Sequence, residues 1–163
     1  MRPKELATDL SLTIDVVIFC IKQLQSEGHC FDYIVVLQPT TPFRTAKLID
    51  DSVKLLVKSN CDSVVSFVDV GANHPARMYT IIDGSPIPLL NNAHNMKPRQ
   101  ELPKIYIRSG DIYACKTDYI LKHRKLMGGD CRSIIVDPES TVNIDDMNDF
   151  MLADLMLSKI TEK

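Results

Sequence analysis

The chain has 163 residues, 45% hydrophobic and 25% charged, which is typical of one globular domain and unlike a disordered chain. Its formal net charge of −2 gives no electrostatic reason to expect a nucleic-acid partner. No apolar run is long enough to cross a membrane, and the N-terminus has no signal-peptide core. Five scattered cysteines without a Cys-x-x-Cys pair favour reduced thiols in a cytoplasmic protein.

Helix and strand patterns alternate from the start of the chain to Asp69. They predict helices at about 13–26 and 46–59 and strands at 31–37 and 63–68. Ser11 or Thr13 is expected to cap the first helix, and Gly28 is expected to end it. A strand, helix and strand in this order predict a right-handed βαβ crossover.

The first predicted strand changes character where it ends. Its apolar residues 34–37 are followed by the polar, proline-stiffened run Gln38-Pro39-Thr40-Thr41-Pro42-Phe43-Arg44. A buried strand that ends in such a loop is typical of a ligand site at the carboxyl edge of an α/β sheet. The alternative is a plain connection to a helix that Thr45 caps.

The pattern changes after Asp69. Residues 78–82 and 85–90 flank an Asp-Gly pair and predict a hairpin, and Pro86 and Pro88 exclude its second arm from the middle of a sheet. We expect this region, about 70–108, to protrude from the main sheet. Its apolar residues have no helix to cover them, so we expect it to form a homodimer interface.

The remaining third of the chain predicts further short elements. Strands are expected at 105–107, 111–114 and 133–136, and helices at 119–125 and after Asp145. The first two strands are separated at Ser109-Gly110. Together the elements predict an α/β fold with a mostly parallel sheet and helices on both faces.

Three groups of residues could carry chemistry. Asn143 and Asp145 alternate around Ile144, so both side chains would point the same way and could hold Mg²⁺; the alternative is a helix cap by Asp145. Arg99 lies in a proline-bounded loop, and its planar guanidinium could bind a carboxylate or a phosphate. The alternative is that Arg99 is simply an exposed charge on a loop. Tyr113 alternates with apolar residues and could belong to the core.

The order of five motifs resembles one family, the acylneuraminate cytidylyltransferases, which activate sialic acid and related nonulosonic acids. Each motif alone is weak, but all five follow in register over nearly the whole chain. The matching runs are 2–9 (RPKELATD), 37–44 (LQPTTPFR), 74–77 (HPAR), 99–103 with 109–113 (RQELP and SGDIY), and 143–145 followed by Asp149-Phe150.

The resemblance implies an enzyme with a three-layer, Rossmann-like nucleotide-diphospho-sugar transferase fold. Such an enzyme transfers CMP from CTP to the anomeric hydroxyl of a nonulosonic acid and releases pyrophosphate, for surface glycan biosynthesis. Members need Mg²⁺, are cytoplasmic and usually dimerise. The implied roles are cytosine binding for Arg2, Ser11 and Thr13, sugar binding for Gln38 and Tyr113, contact with the acid substrate across the dimer for Arg77 and Arg99, and metal binding for Asp145, with Asn143 beside it.

The chain also departs from the family pattern. The family has Asp at the position of Asn143 and often Asn-Gly-Ala at 109–111. It begins with a strand and a Gly-rich basic loop that cradles the triphosphate, and roughly 60 residues, about two βα units, have no counterpart here. We therefore expect residues 1–163 to be a single cytidylyltransferase domain without that loop.

Such a chain is expected to be inactive alone, because a triphosphate loop supplies donors and lysines that position the substrate. The alternative hypothesis is a non-catalytic chain that binds only sugar or a partner chain. A third is another sugar nucleotidyltransferase of the same fold class.

Overall fold

A computed structural model describes residues 3–8, 10–90 and 97–161. Within these ranges the helices are α1 (Thr13–Ser26), α2 (Ala46–Ser59), α3 (Thr117–His123) and α4 (Met147–Thr161). The strands are β1 (Tyr33–Val36), β2 (Ser63–Asp69), β3 (Tyr79–Ile82), β4 (Ser85–Pro88), β5 (Tyr106–Lys116) and β6 (Cys131–Ile135). No helix in the described part of the chain is long and apolar enough to cross a membrane.

The main sheet is mixed, with strand order β1-β5-β2-β6. β5 runs antiparallel to both β1 and β2, whereas β2 and β6 are parallel. β1, β2 and β6 therefore share one direction and β5 alone opposes them, so the sheet is mixed and one of its three strand pairings is parallel. The predicted crossover from β1 to β2 does join strands of the same direction, but β5 lies between them.

Helices cover both faces of this sheet, as predicted. Leu56 of α2 packs with Val64, Ile112 and Ala114 on one face. On the other face, Cys115 of β5 packs with Ile18 and Ile21 of α1 and with Ile120 of α3. Successive β5 side chains alternate between the two clusters because side chains along a strand point to opposite faces.

β5 corrects one prediction. The two short strands expected at 105–107 and 111–114 are a single strand that contains a bulge. Val65 pairs with Tyr113 and Phe67 with Arg108, so the four residues 109–112 lie opposite Ser66 alone. The Ser109-Gly110 pair that indicated a break instead forms this bulge, in which Gly110 has a φ of 84°.

The predicted hairpin is confirmed and lies outside the main sheet. β3 and β4 form a separate two-stranded sheet in which all residues are exposed. Asp83 and Gly84 have φ values of 48° and 77°, and two positive φ angles are characteristic of a type I′ turn. We refer to residues 71–90 and 97–105 as the extension.

Candidate functional site

The loop after β1 is held in place by Arg44. Its guanidinium donates to the Gln38 carbonyl at 2.6 Å, to Thr41 Oγ1 at 2.8 Å and to the Asp111 carbonyl at 3.2 Å. Thr41 is fully buried, and its hydroxyl lies 3.1 Å from the Gln38 carbonyl. Thr45 Oγ1 accepts from the backbone N–H of Leu48 at 3.2 Å, so the same loop also caps α2. The loop thus fixes Gln38 and starts a helix.

Gly110 leaves the space that the Gln38 amide occupies. A Cβ atom at position 110 would lie 2.9 Å from Gln38 Oε1 and 3.7 Å from Asn143 Oδ1. The two side-chain oxygens therefore converge above the same backbone position. Because Gly110 also has a positive φ, only glycine satisfies this position without strain.

Asn143 and Asp145 lie together in an exposed loop before α4. Asn143 Nδ2 donates to Asp145 Oδ2 at 2.5 Å, and the N–H of Ile144 between them donates to the Thr40 carbonyl at 2.8 Å. This last bond fixes the pair beside the Gln38 loop. The pair offers one carboxylate and one amide oxygen to solvent, a donor set that fits Mg²⁺ when phosphate and water complete the shell.

Asp145 is not the cap of α4, so the alternative interpretation of this residue is wrong. Asp146 Oδ1 accepts from the N–H groups of Asn148 and Asp149 at 2.7 and 3.0 Å. Asp149 Oδ2 in turn accepts from the N–H of Asp146 at 3.1 Å, as in a capping box. The two N–H donors hold the pKa of Asp146 below its usual value. Asp145 therefore remains available to a ligand.

Asp111 connects the β5 bulge to the loop of Asn143 and Asp145, a role that sequence reasoning missed. Its side chain is 1% exposed, and Thr141 Oγ1 lies 3.0 and 2.9 Å from its two carboxylate oxygens. Thr141 is two residues before Asn143. The only sequence signal was that Asp111 departs from the family pattern.

A cavity of about 360 Å³ brings together predicted residues from different motifs. We call it the Gln38 cavity. It lies between α1, β5 and the turn after α3. Its lining comprises Thr13, Ile14, Gln38, Arg108, Tyr113, Arg124, Lys125, Leu126 and Met127. Thr13, Gln38 and Tyr113 all line this cavity, although Tyr113 is only 9% exposed. Three cations that the sequence analysis did not select, Arg108, Arg124 and Lys125, also line it.

Other predicted site residues lie elsewhere. The Ser11 hydroxyl is 2.9 Å from that of Thr8 and 3.4 Å from the Glu5 carbonyl, so it stabilises the turn before α1. Neither Ser11 nor Thr13 caps that helix, because the N-cap is Leu12 and makes no side-chain capping bond. Arg2 lies outside the described residues.

Arg77 and Arg99 lie at the base of the extension. Arg99 lines a second cavity, of about 380 Å³, whose other walls include Asp69, His74 and Lys104. Arg77 is exposed at the end of a short 3₁₀ turn, Pro75–Arg77. Within one subunit the structure therefore does not bring these arginines to the Gln38 cavity.

His74 joins the two segments that carry these arginines. It is 6% exposed; its Nδ1 accepts from the N–H of Ala76 at 3.0 Å, and its Nε2 lies 3.0 Å from the Pro103 carbonyl. Since a carbonyl only accepts and Nδ1 already accepts from an N–H, these contacts fit the tautomer with its proton on Nε2. His74 thereby ties the Arg77 turn to the loop that follows Arg99.

Comparison with known proteins supports the resemblance seen in the motifs. The chain is 31% identical over 157 residues to an N-acylneuraminate cytidylyltransferase of Escherichia coli O18:K1:H7, covering 94% of this chain and 35% of the relative. An enzyme of the same name from Streptococcus agalactiae serotype V is 25% identical, covering 93% and 35%. A CMP-N,N'-diacetyllegionaminic acid synthase of Legionella pneumophila is 25% identical, covering 96% and 67%. No family model matches the sequence.

A solved structure confirms the fold. A CMP:2-keto-3-deoxy-manno-octonic acid synthetase complexed with CTP superposes with a TM-score of 0.59 at 14% identity, covering 95% of this chain and 70% of that one. The predicted α/β nucleotidyltransferase fold is therefore correct. The chain spans 35% of the length of the N-acylneuraminate cytidylyltransferases that it matches.

Proposed function

We propose that this chain carries the acceptor-sugar site of a CTP-dependent cytidylyltransferase, an enzyme that transfers CMP to a sialic acid or related nonulosonic acid. In this reaction the anomeric oxygen of the sugar bonds to the α-phosphorus of CTP. The bond from that phosphorus to the bridging oxygen breaks, pyrophosphate leaves, and the hydroxyl proton is lost to solvent. One observation carries the proposal: Gln38 and Asn143 converge above Gly110, beside a cavity that also contains Thr13 and Tyr113.

The proposed roles follow from chemistry and position. In this proposal the Gln38 amide and the Tyr113 hydroxyl hydrogen-bond sugar hydroxyls; the support is that both residues line the cavity. Thr13 lies at its α1 wall and is assigned to the nucleotide, together with Ser11 and Arg2. Asp145, assisted by Asn143, would hold Mg²⁺, which supplies charge neutralisation for the phosphate oxygens.

We also propose a cytoplasmic homodimer formed by the extension. Its exposed apolar side chains include Ile81, Ile82, Ile87, Leu89 and Leu90, each at least 43% exposed. In this dimer Arg77 and Arg99 would reach the acid substrate of the partner. Sedimentation velocity tests the idea: a dimer at micromolar concentration is expected, and Ile81→Asp should dissociate it, whereas a monomeric unaltered protein would contradict it.

The enzymatic proposal is tested by measuring the release of pyrophosphate from CTP in the presence of Mg²⁺ and a panel of nonulosonic acids. The assay uses the protein that contains residues 1–163. Turnover is expected, and Gln38→Ala should lower kcat/KM for the sugar about 100-fold, because a displaced substrate reacts slowly. The KM for CTP should change little. Lys122→Met, on the exposed side of α3, is the control and should behave as the unaltered protein.

Sugar binding without turnover would instead support the alternative, a chain that binds sugar but does not catalyse. If Gln38→Ala changed CTP binding and left the sugar KM unchanged, the assignment of Gln38 to the sugar would be wrong.

A further inference from the structure

Arg108 and Tyr113 line the same cavity, although they are five positions apart on β5. In a regular strand, residues an odd number of positions apart point to opposite faces of the sheet. The bulge at 109–112 allows both side chains to point to the same face, because it places four residues of β5 opposite the single residue Ser66. The register of β5 therefore turns Arg108 toward the predicted sugar residues.

Buried hydrogen bonds hold this bulge. Ser66 is fully buried, and its Oγ accepts from the Ile112 N–H at 2.9 Å and from Ser109 Oγ at 2.8 Å. The Thr41 hydroxyl lies 3.3 Å from the Gly110 carbonyl. These buried partners fix the backbone next to Arg108 before any ligand binds, which lowers the entropic cost of binding.

The cations that line the cavity differ in whether they already form an ion pair. Arg124 forms an ion pair with Asp15 of α1. Arg108 and Lys125 form no ion pair with any residue in the described ranges. Arg99, one of the two arginines expected to contact the acid substrate across the dimer, lines the other cavity. Among the described residues, two cations without an ion pair thus remain beside Gln38 and Tyr113.

We propose that Arg108, assisted by Lys125, binds the carboxylate of the acid sugar within the same subunit and selects acidic over neutral acceptors. This inference rests on the proposed function and adds the residues that read the acid group. A guanidinium offers two parallel N–H donors that match the two oxygens of a carboxylate. The sugar carboxylate is favoured over a nucleotide phosphate because Arg108 lies on the same face of β5 as Tyr113, which is assigned to the sugar, whereas Thr13, which is assigned to the nucleotide, lies on the α1 wall of the cavity.

The test measures binding of N-acetylneuraminic acid and 3-deoxy-manno-octulosonic acid, each compared with its methyl ester, by calorimetry on the full chain. The unaltered protein should prefer at least one acid over its ester. Arg108→Met should weaken binding of that acid about 10- to 100-fold and leave the ester unchanged. Arg108→Lys should lose part of the preference because it keeps the charge without the fork. Lys122→Met is the matched control, since Lys122 is an exposed cation outside the cavity.

Each other outcome has a defined meaning. If Arg108→Met binds the acid as tightly as the unaltered protein while Arg99→Met does not, the carboxylate is read across the dimer and the inference is wrong. If Arg108→Met weakens binding of CTP instead, the cation serves the phosphates and the inference is also wrong. If Gln38→Ala has no effect on either acid, or neither acid binds, the proposed function itself fails.

Discussion

The buried half of β5 and the β3–β4 hairpin have similarly apolar sequences but very different surroundings. Residues 109–115 of β5 are all buried, between α2 on one face and α1 and α3 on the other. Every residue of β3 and β4 is exposed. An apolar sequence that forms a β-strand is therefore not necessarily buried. What determines burial is whether the same chain supplies helices to cover the strand.

β5 itself changes from exposed to buried along its length. Its first three residues, Tyr106–Arg108, are exposed, and the bulge follows immediately. The Gln38 cavity lies near this transition, where cations can face solvent and still rest on a rigid sheet. The first two predictions below change a residue of β5 and use the equivalent change in the hairpin as the control.

The largest expected effect is on stability. Ile112→Ala removes a fully buried side chain of the α2 cluster and should lower the free energy of unfolding by about 2–5 kcal/mol. Ile81→Ala removes the same atoms from a side chain that is 64% exposed within one subunit, and at concentrations where the protein is monomeric it should change the free energy of unfolding by no more than about 0.5 kcal/mol. Urea unfolding of both variants measures this. Similar losses would mean that the extension is buried in the protein as purified.

The second prediction concerns Gly110. Gly110→Ala should displace the Gln38 amide, because the new Cβ would lie 2.9 Å from Gln38 Oε1, and should weaken sugar binding by about 100-fold. Gly84→Ala is the control. Its φ of 77° imposes a comparable backbone strain of about 1–2 kcal/mol, but it has no neighbour within 4 Å. Equal sugar affinity in the two variants would argue against Gly110 as the support of Gln38.

The third prediction separates the two hydrogen bonds of His74. Asparagine can replace the Nδ1 acceptor and glutamine the Nε2 donor, so His74→Asn should release the Pro103 carbonyl while His74→Gln retains it. Losing one buried hydrogen-bond partner lowers the free energy of unfolding by about 1–3 kcal/mol. Only the extension should be destabilised. Amide hydrogen exchange should accelerate around residues 98–105 in His74→Asn and less in His74→Gln. An unchanged exchange pattern in both would show that His74 does not join the two segments.

The smallest effect concerns the thiols. Burial, with a smaller contribution from nearby Cys131 and Cys61, raises the pKa of Cys115 from 9.0 to about 12. At pH 8 alkylation should modify the exposed Cys20 and Cys30 in the folded protein and spare Cys61 and Cys115, because both of these thiols are buried; mass spectrometry counts the modified thiols.

The same shift has a consequence for stability. The unfolded chain releases the Cys115 proton at lower pH than the folded one. Stability should thus be unaffected by this group below pH 9 and fall as pH rises from about 9 toward 12. Cys115→Ala should reduce that alkaline dependence.

The sequence alone determined the features that depend on neighbouring residues. The bounds of α1 and α2 follow from apolar residues at helical spacing, and the cap by Thr45 follows from its side chain. The hairpin follows from the Asp-Gly turn and the edge prolines. The motifs also selected Thr13, Gln38 and Tyr113, which line one cavity, and the adjacent pair Asn143 and Asp145.

Only the tertiary structure decided how distant segments meet. β5 lies between β1 and β2 because burial of its two apolar faces against helices far along the chain outweighs the local break at Ser109-Gly110. Its bulge depends on Ser66, which is 43 residues from Ser109. Strand register is set by such long-range packing and not by local spacing. For this reason the sequence could not indicate that Arg108 shares a cavity with Tyr113, or that Asp111 holds the loop of Asp145.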